Sequence, residues 1–161
     1  MYKEVYNHHT VRAIEYMMKD FIKGMDKIMN ISNWIENEDW ESFIRLNDSI
    51  IELIYKHNNM TRDEGVDKLI ELIHNIRIRN IYKSVGEIIS DSKIQLDGYN
   101  TEHIIVDSVK LSYNGKLKCK YIQNRETINK SLKFQNKDEY ITTIYYKSDL
   151  FKKEAEDLFE R

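Results

Sequence analysis

The chain has 161 residues, 25 basic and 27 acidic, with a net charge of −2, 41% hydrophobic residues, five glycines and no proline. That length suits one modest domain, or a helical lobe with a smaller appended lobe, and the apolar content excludes a disordered polyelectrolyte. No apolar run nears the ~18 residues of a membrane helix, the first residues lack a signal-peptide core, and a single Cys119 excludes an internal disulfide or a multi-cysteine zinc site. The expectation is an intracellular protein, cytoplasmic or nuclear, with no membrane partner.

Along the first third, Val11, Ile14, Met17, Met18, Phe21, Ile22, Met25, Ile28 and Met29 recur at steps of three and one, the face of a long helix within 5–29. Its methionine stripe reads as adaptable core, or as a face offered to another helix. Ser32 and Asn33 are expected to cap a short segment, and Trp40, Phe43 and Ile44 belong to a further helix. Ile50, Ile51, Leu53 and Ile54 belong to another, the two joined near Asn47-Asp48. Asn58-Asn59 predicts a turn, and Thr61 with Glu64 has the spacing of a capping box that opens a helix carrying Val66, Leu69, Ile70, Leu72 and Ile73 inward. A last helix is expected over 76–82.

The period then changes to two. Ser84 to Ile89 reads as extended, Ile104-Ile105-Val106 is β-branched, and Val109 to Tyr113 alternates. Asn114-Gly115 then predicts a tight hairpin with a return strand from Lys116 to Ile122, because both residues accept positive φ. On that strand Leu117, Cys119 and Tyr121 alternate with Lys116, Lys118 and Lys120, lysines that would also protect an exposed edge. A strand is expected over 141–146, and Ser148 should cap a closing helix carrying Leu150, Phe151, Ala155, Leu158 and Phe159. The fold class is therefore α+β: an N-terminal α-helical bundle lobe over 1–90, then a small antiparallel β-hairpin/sheet lobe with a closing C-terminal helix over 91–161.

Charge is uneven. Residues 1–102 hold 13 basic and 18 acidic side chains, 138–161 hold 4 and 7, and 103–137 hold 8 and 2. A positive field there suits phosphate groups, those of a nucleotide or a nucleic acid. Few aromatics interleave with the lysines, which makes nucleic acid the weaker of the two. The five histidines supply no metal motif: His8 and His9 are adjacent and would project about 100° apart on a helix, and His57, His74 and His103 stand singly. No His-Asp pair, glycine-rich phosphate loop or nucleophile elbow occurs.

Three ordered motifs carry a resemblance. Tyr6-Asn7-His8-His9 precedes the first long helix, Arg79-Asn80-Ile81-Tyr82-Lys83 runs on through Val85-Gly86-Glu87, and Cys119-Lys120 is followed by Asn124-Arg125. With Ile105-Val106-Asp107 they resemble, over nearly the whole chain, the C-terminal portion of HD-domain dNTP triphosphohydrolases of the sterile-alpha-motif and HD-domain type. The resemblance implies that Tyr6, Asn7 and His8 line the substrate pocket, and that His9, Arg79, Lys83 and Lys120 serve allosteric nucleotides through their phosphates. His9 stands where the family usually has lysine, which weakens a phosphate contact at neutral pH. Arg79 and Lys83, four apart, would share one helix face.

The family's divalent metal (Fe, Mn, Zn or Mg) is held by two His and two Asp that precede the matching segment, so the expectation is a chain with no catalytic residue, no metal site and no cofactor of its own, inactive alone. Its partners would be dNTP or GTP, further copies of itself in a homo-oligomer, or a full-length HD-domain relative. The alternative is a non-catalytic interaction protein of that descent that modulates such a relative. For Arg79 and Lys83 the plainer reading is a solvated face paired with Glu71, Glu87 or Asp91.

Overall fold

The computed structural model describes residues 7–44, 46–47, 50–61, 64–112, 116–123, 126–133 and 138–160, with the backbone alone described at 53, 57–61, 112, 116–123 and 126–133. It is an α+β arrangement of helices, a small antiparallel sheet and a C-terminal helix. Two compact units divide the chain, residues 8–82 forming one and residues 83–161, with 1–7, the other.

The helical unit begins with α1 (His9–Met29). Ala13, Met17, Phe21 and Met25 fall four apart, so they lie on one face, and all four are buried. Burying a side chain such as Phe21 contributes about 1.5–3 kcal/mol. Asn30, in the left-handed region at φ 58°, ends the helix by donating its N–H to Asp26 O at 2.7 Å. Asp26 Oδ1 then accepts the Ser32 N–H at 2.6 Å, and Oδ2 accepts the Ser32 hydroxyl at 2.7 Å. Ser32 was expected to cap the segment that follows; instead it lies inside α2 (Ile31–Glu36), and Asp26 supplies the cap from the previous helix.

Next come α3 (Trp40–Ile44), α4 (Ile50–Thr61) and α5 (Glu64–Arg77). Asp39 Oδ1 caps α3 by accepting the Ser42 N–H at 3.1 Å. The turn expected at Asn58-Asn59 is absent, since α4 runs through both: continuing the backbone ladder satisfies their amides without a break. Arg62 and Asp63 lie outside the described residues, as does the Thr61 side chain of the expected capping box. Val66, Leu69 and Ile73 of α5 join Phe21, Met25, Ile31 and Ile54 in one core. The close approach of α1 and α5 depends on Gly24, where a Cβ would overlap the Leu69 side chain.

In the second unit, β1 (Lys83–Ser90), β2 (Ile104–Ser112) and β5 (Asp138–Tyr146) form an antiparallel sheet in the order β1-β5-β2. Ile141 to Tyr146 are all buried, because β5 is central. Ser148 accepts the Leu150 N–H at 3.5 Å and caps a 3-10 turn, Asp149–Phe151, which leads into α6 (Lys152–Phe159). Ala155 and Leu158 of α6 share a core with Ile104, Ile144 and Tyr146. Gly86 lets the helix lie close: a Cβ there would come within 2.7 Å of the Phe159 ring.

The remaining strands, β3 (Lys116–Gln123) and β4 (Glu126–Lys133), pair with each other as a separate ribbon. This corrects the expected hairpin between 109–113 and 116–122. β2 instead spends its ladder on β5 over nine registered pairs, from Ile104↔Tyr146 to Ser112↔Asp138, and the return strand takes β4. Asn114-Gly115 lies outside the described residues.

Candidate functional site

The residues singled out from the sequence fall in three places. At the start of α1, His8 is the N-cap, with extended backbone and Nδ1 accepting the Thr10 N–H at 3.3 Å. His9 opens the helix, and the two imidazole rings lie 4.2 Å apart, tilted by 32°. Both are exposed, Asn7 is half-buried beside them, and Tyr6 lies outside the described residues. One turn on, Arg12 pairs with Glu15 and sits 5.5 Å from the Tyr16 ring, with Lys19 at 4.5 Å from the same ring.

At the far end of the helical unit, Arg79 does not continue a helix. The helix expected over 76–82 ends instead at Arg77, and Arg79 follows in the left-handed region at φ 61°. Its N–H donates to Ile76 O at 3.2 Å, while Asn80 N–H reaches back to Asn75 O at 2.8 Å. These two bonds make a Schellman cap with Arg79 at the position where glycine is commonest. Asn80 Nδ2 adds a bond to Asn75 Oδ1 at 3.1 Å. Tyr82, closing the unit, donates its hydroxyl to Asp20 Oδ2 on α1 at 2.8 Å, and burial beside that carboxylate raises the phenol's pKa.

Lys83 opens β1 in the second unit, so the face it was expected to share with Arg79 does not exist. Its Nζ donates to Asp149 Oδ1 at 3.0 Å and Oδ2 at 3.2 Å, and this bond raises the ammonium pKa. None of the partners expected from the sequence, Glu71, Glu87 or Asp91, is the one used. Asp149 sits 66 residues further on, and folding alone brings it to Lys83. Lys120 lies on β3, registered opposite Asn129.

Two concave surfaces went unread in the sequence. One, about 560 Å³, is lined by Lys93, Gln95, Asp97, Tyr99, Val106 and Ser108 between the β1–β2 connection and β2. The other, about 400 Å³, follows α1 along Val11, Ile14, Met18 and Ile22, with Glu15 and Lys19 beside them. Its signal was present in the sequence: α1 carries apolar residues on a second stripe beyond the one it buries.

Compared with known proteins, the chain is 32% identical over 147 residues, 91% of its length, to a deoxynucleoside triphosphate triphosphohydrolase SAMHD1 homolog of Dictyostelium discoideum. The chain is a homologue of the SAMHD1-like dNTP triphosphohydrolases. An HD domain-containing protein of Acanthamoeba polyphaga mimivirus is 35% identical over 99 residues, 55% of the chain. This homologue spans only 26% and 21% of those two relatives' own lengths. No family model matches it.

The metal of HD-domain enzymes needs several His and carboxylate ligands converging on one point. Among the described residues of this homologue no three His, Cys, Asp or Glu side chains come together in that way, and Nδ1 of His8 is engaged in capping α1. These described residues do not fit the ion. Nor, among the described residues, is any helix long and apolar enough to cross a membrane.

Proposed function

We propose that this chain is the regulatory, oligomerising and nucleotide-site-lining C-terminal part of an HD-domain dNTP triphosphohydrolase, without a metal cage and without hydrolytic activity of its own. The observation that carries the reading is the homology, which runs through 91% of the chain to a relative named for that activity while covering 26% of that relative. In this reading Asn7, His8 and His9 border the substrate and allosteric nucleotides from the exposed start of α1. Arg79 offers its guanidinium from an exposed helix end, where a polyphosphate can reach it, and Lys83 and Lys120 add cations.

A thermal-shift panel of dNTPs and GTP tests the binding half. A nucleotide present at about 100 times its dissociation constant should stabilise the chain by roughly 2.7 kcal/mol. No shift at millimolar nucleotide would reject it. The catalytic half fails if the purified chain by itself releases inorganic triphosphate from dGTP and a chelator stops it.

A second reading, a non-catalytic protein that binds a full-length relative, is favoured by the apolar groove of α1, where Val11 and Ile22 are 40% and 49% exposed. It predicts no nucleotide shift and a stable complex with such a relative, lost in Val11→Asp.

A further inference from the structure

The short helix α3 gives nothing to the core. None of its five residues is buried, although Trp40, Phe43 and Ile44 are large and apolar. They are 53%, 38% and 77% exposed, and the rings of Trp40 and Phe43 meet edge to face with centroids 6.2 Å apart. Falling three and four apart, the three side chains stand on one face of the helix. Ile35 of α2 is exposed as well, whereas Ile31 and Trp34 pack into the core of the unit. Two bonds tie the end of α2 to the start of α3: the Glu38 N–H donates to Ile35 O at 3.2 Å, and the Asp39 N–H to Trp34 O at 2.8 Å. Apolar side chains scattered singly over a surface need no explanation, but an aromatic pair with isoleucine on one face has the composition of an interface.

The charge beside these residues has one sign. Glu36, Glu38, Asp39 and Glu41 are exposed, and no lysine or arginine occurs between Lys27 and Arg45. Asp39 is accounted for by its cap on Ser42. The turn does not account for Glu38, which holds φ 56° in the left-handed region, where glycine would avoid the clash of a Cβ. A nucleotide, a nucleic acid or an anionic bilayer would meet carboxylates of its own sign here. An uncharged apolar surface would cover the aromatic pair and gain nothing from the acidic rim. A segment with apolar side chains flanked by lysine or arginine satisfies both.

We propose that Ile35, Trp40, Phe43 and Ile44, with the carboxylates of Glu36, Glu38 and Glu41 alongside, form a docking surface for a basic amphipathic segment of another protein. The surface is separate from the cations of the nucleotide-site reading and does not rest on that reading.

Fluorescence anisotropy of a labelled ~20-residue amphipathic helix of leucine and lysine, titrated with the full chain, tests it. The peptide should bind, and its analogue with glutamate in place of every lysine should not. Trp40→Ser should weaken binding by about 30-fold or more, as loss of a hot-spot aromatic does. Ile44→Asp, at a position too exposed to disturb the fold, should abolish it. Glu36→Lys/Glu38→Lys should lower the affinity for the lysine peptide at low salt, and the difference should shrink as salt is added. Val11→Asp on α1 should bind like the wild type. Equal binding of the glutamate peptide, wild-type binding by both Trp40→Ser and Ile44→Asp, or loss of binding in Val11→Asp would each overturn the proposal. So would self-association of the wild-type chain in sedimentation that Ile44→Asp removes, which would make a second copy the occupant, or binding to phosphatidylserine vesicles lost in the same variant.

Discussion

Replacing Arg79 by glycine should stabilise the helical unit while removing a cation that the nucleotide reading needs. Arg79 holds φ 61° at the end of α5, and its N–H and that of Asn80 close the cap on Ile76 and Asn75. A left-handed backbone costs a residue with a Cβ about 1–2 kcal/mol. Glycine avoids that cost but loses up to ~1 kcal/mol through greater freedom in the unfolded chain. The balance is a gain of roughly 0.5–1 kcal/mol, or about 2–8 °C in Tm for a cooperative unit of this size. Urea and thermal denaturation of Arg79→Gly, followed by helical circular dichroism, measure it directly. Arg79→Lys is the control, because it keeps both the charge and the strained backbone and should melt like the wild type. With dGTP present the order should reverse, Arg79→Gly gaining least. If Arg79→Gly melts below the wild type, the cap does not govern this position. If it melts higher but responds fully to dGTP, the guanidinium has no part in nucleotide binding.

Three other substitutions probe the second unit and the α1–α2 junction. Gly86→Ala should destabilise the protein by about 1–3 kcal/mol, because its Cβ would meet the Phe159 ring at 2.7 Å; Phe159→Leu should recover part of that loss, and additive effects in urea would exclude the clash. Asp149→Asn releases Lys83 from its carboxylate and should enlarge the dGTP-induced thermal shift, whereas an unchanged shift would remove Lys83 from the nucleotide site. Asp26 is held below its ordinary pKa of 3.8 by the Ser32 hydroxyl, then by the Ser32 amide. Since the folded pKa is the lower one, its contribution is present above 3.8 and lost as pH falls through the folded value. Asp26→Asn should therefore be less stable than the wild type at pH 5, with the gap closing towards pH 2; a gap independent of pH would show that charge is not involved.

Local chemistry was legible wherever it acts between near neighbours. The apolar steps of three and one that place Met17, Phe21 and Met25 in the core, the β-branched run at 104–106, the strand over 141–146 and the Ser148 cap all follow from periodicity and short-range hydrogen bonding. The motifs around His8, Arg79 and Lys120 likewise carried the family, since a motif survives whatever its backbone does. Helix ends were harder to read. Asn58-Asn59 looks like a turn and is helix, and 78–82 looks like helix and is not, because a Schellman cap formed by arginine has no glycine to announce it.

Pairing partners were settled only by tertiary structure. Nothing near Lys83 in the chain marks Asp149, 66 residues away, and Asn114-Gly115 favours a hairpin locally, whereas β2 pairs with β5 over nine residue pairs and the strand after the Asn-Gly pair takes β4. The sequence by itself determined the family and most of the helical and extended segments, though not β4 or the ends of α4 and α5, because those that were legible depend on residue type and short spacing. The folded chain alone decided which strand lies beside which: β5 reaches β1 and β2 from far along the chain, a choice made by distant segments meeting at the same edges and the same apolar face, which short spacing does not record.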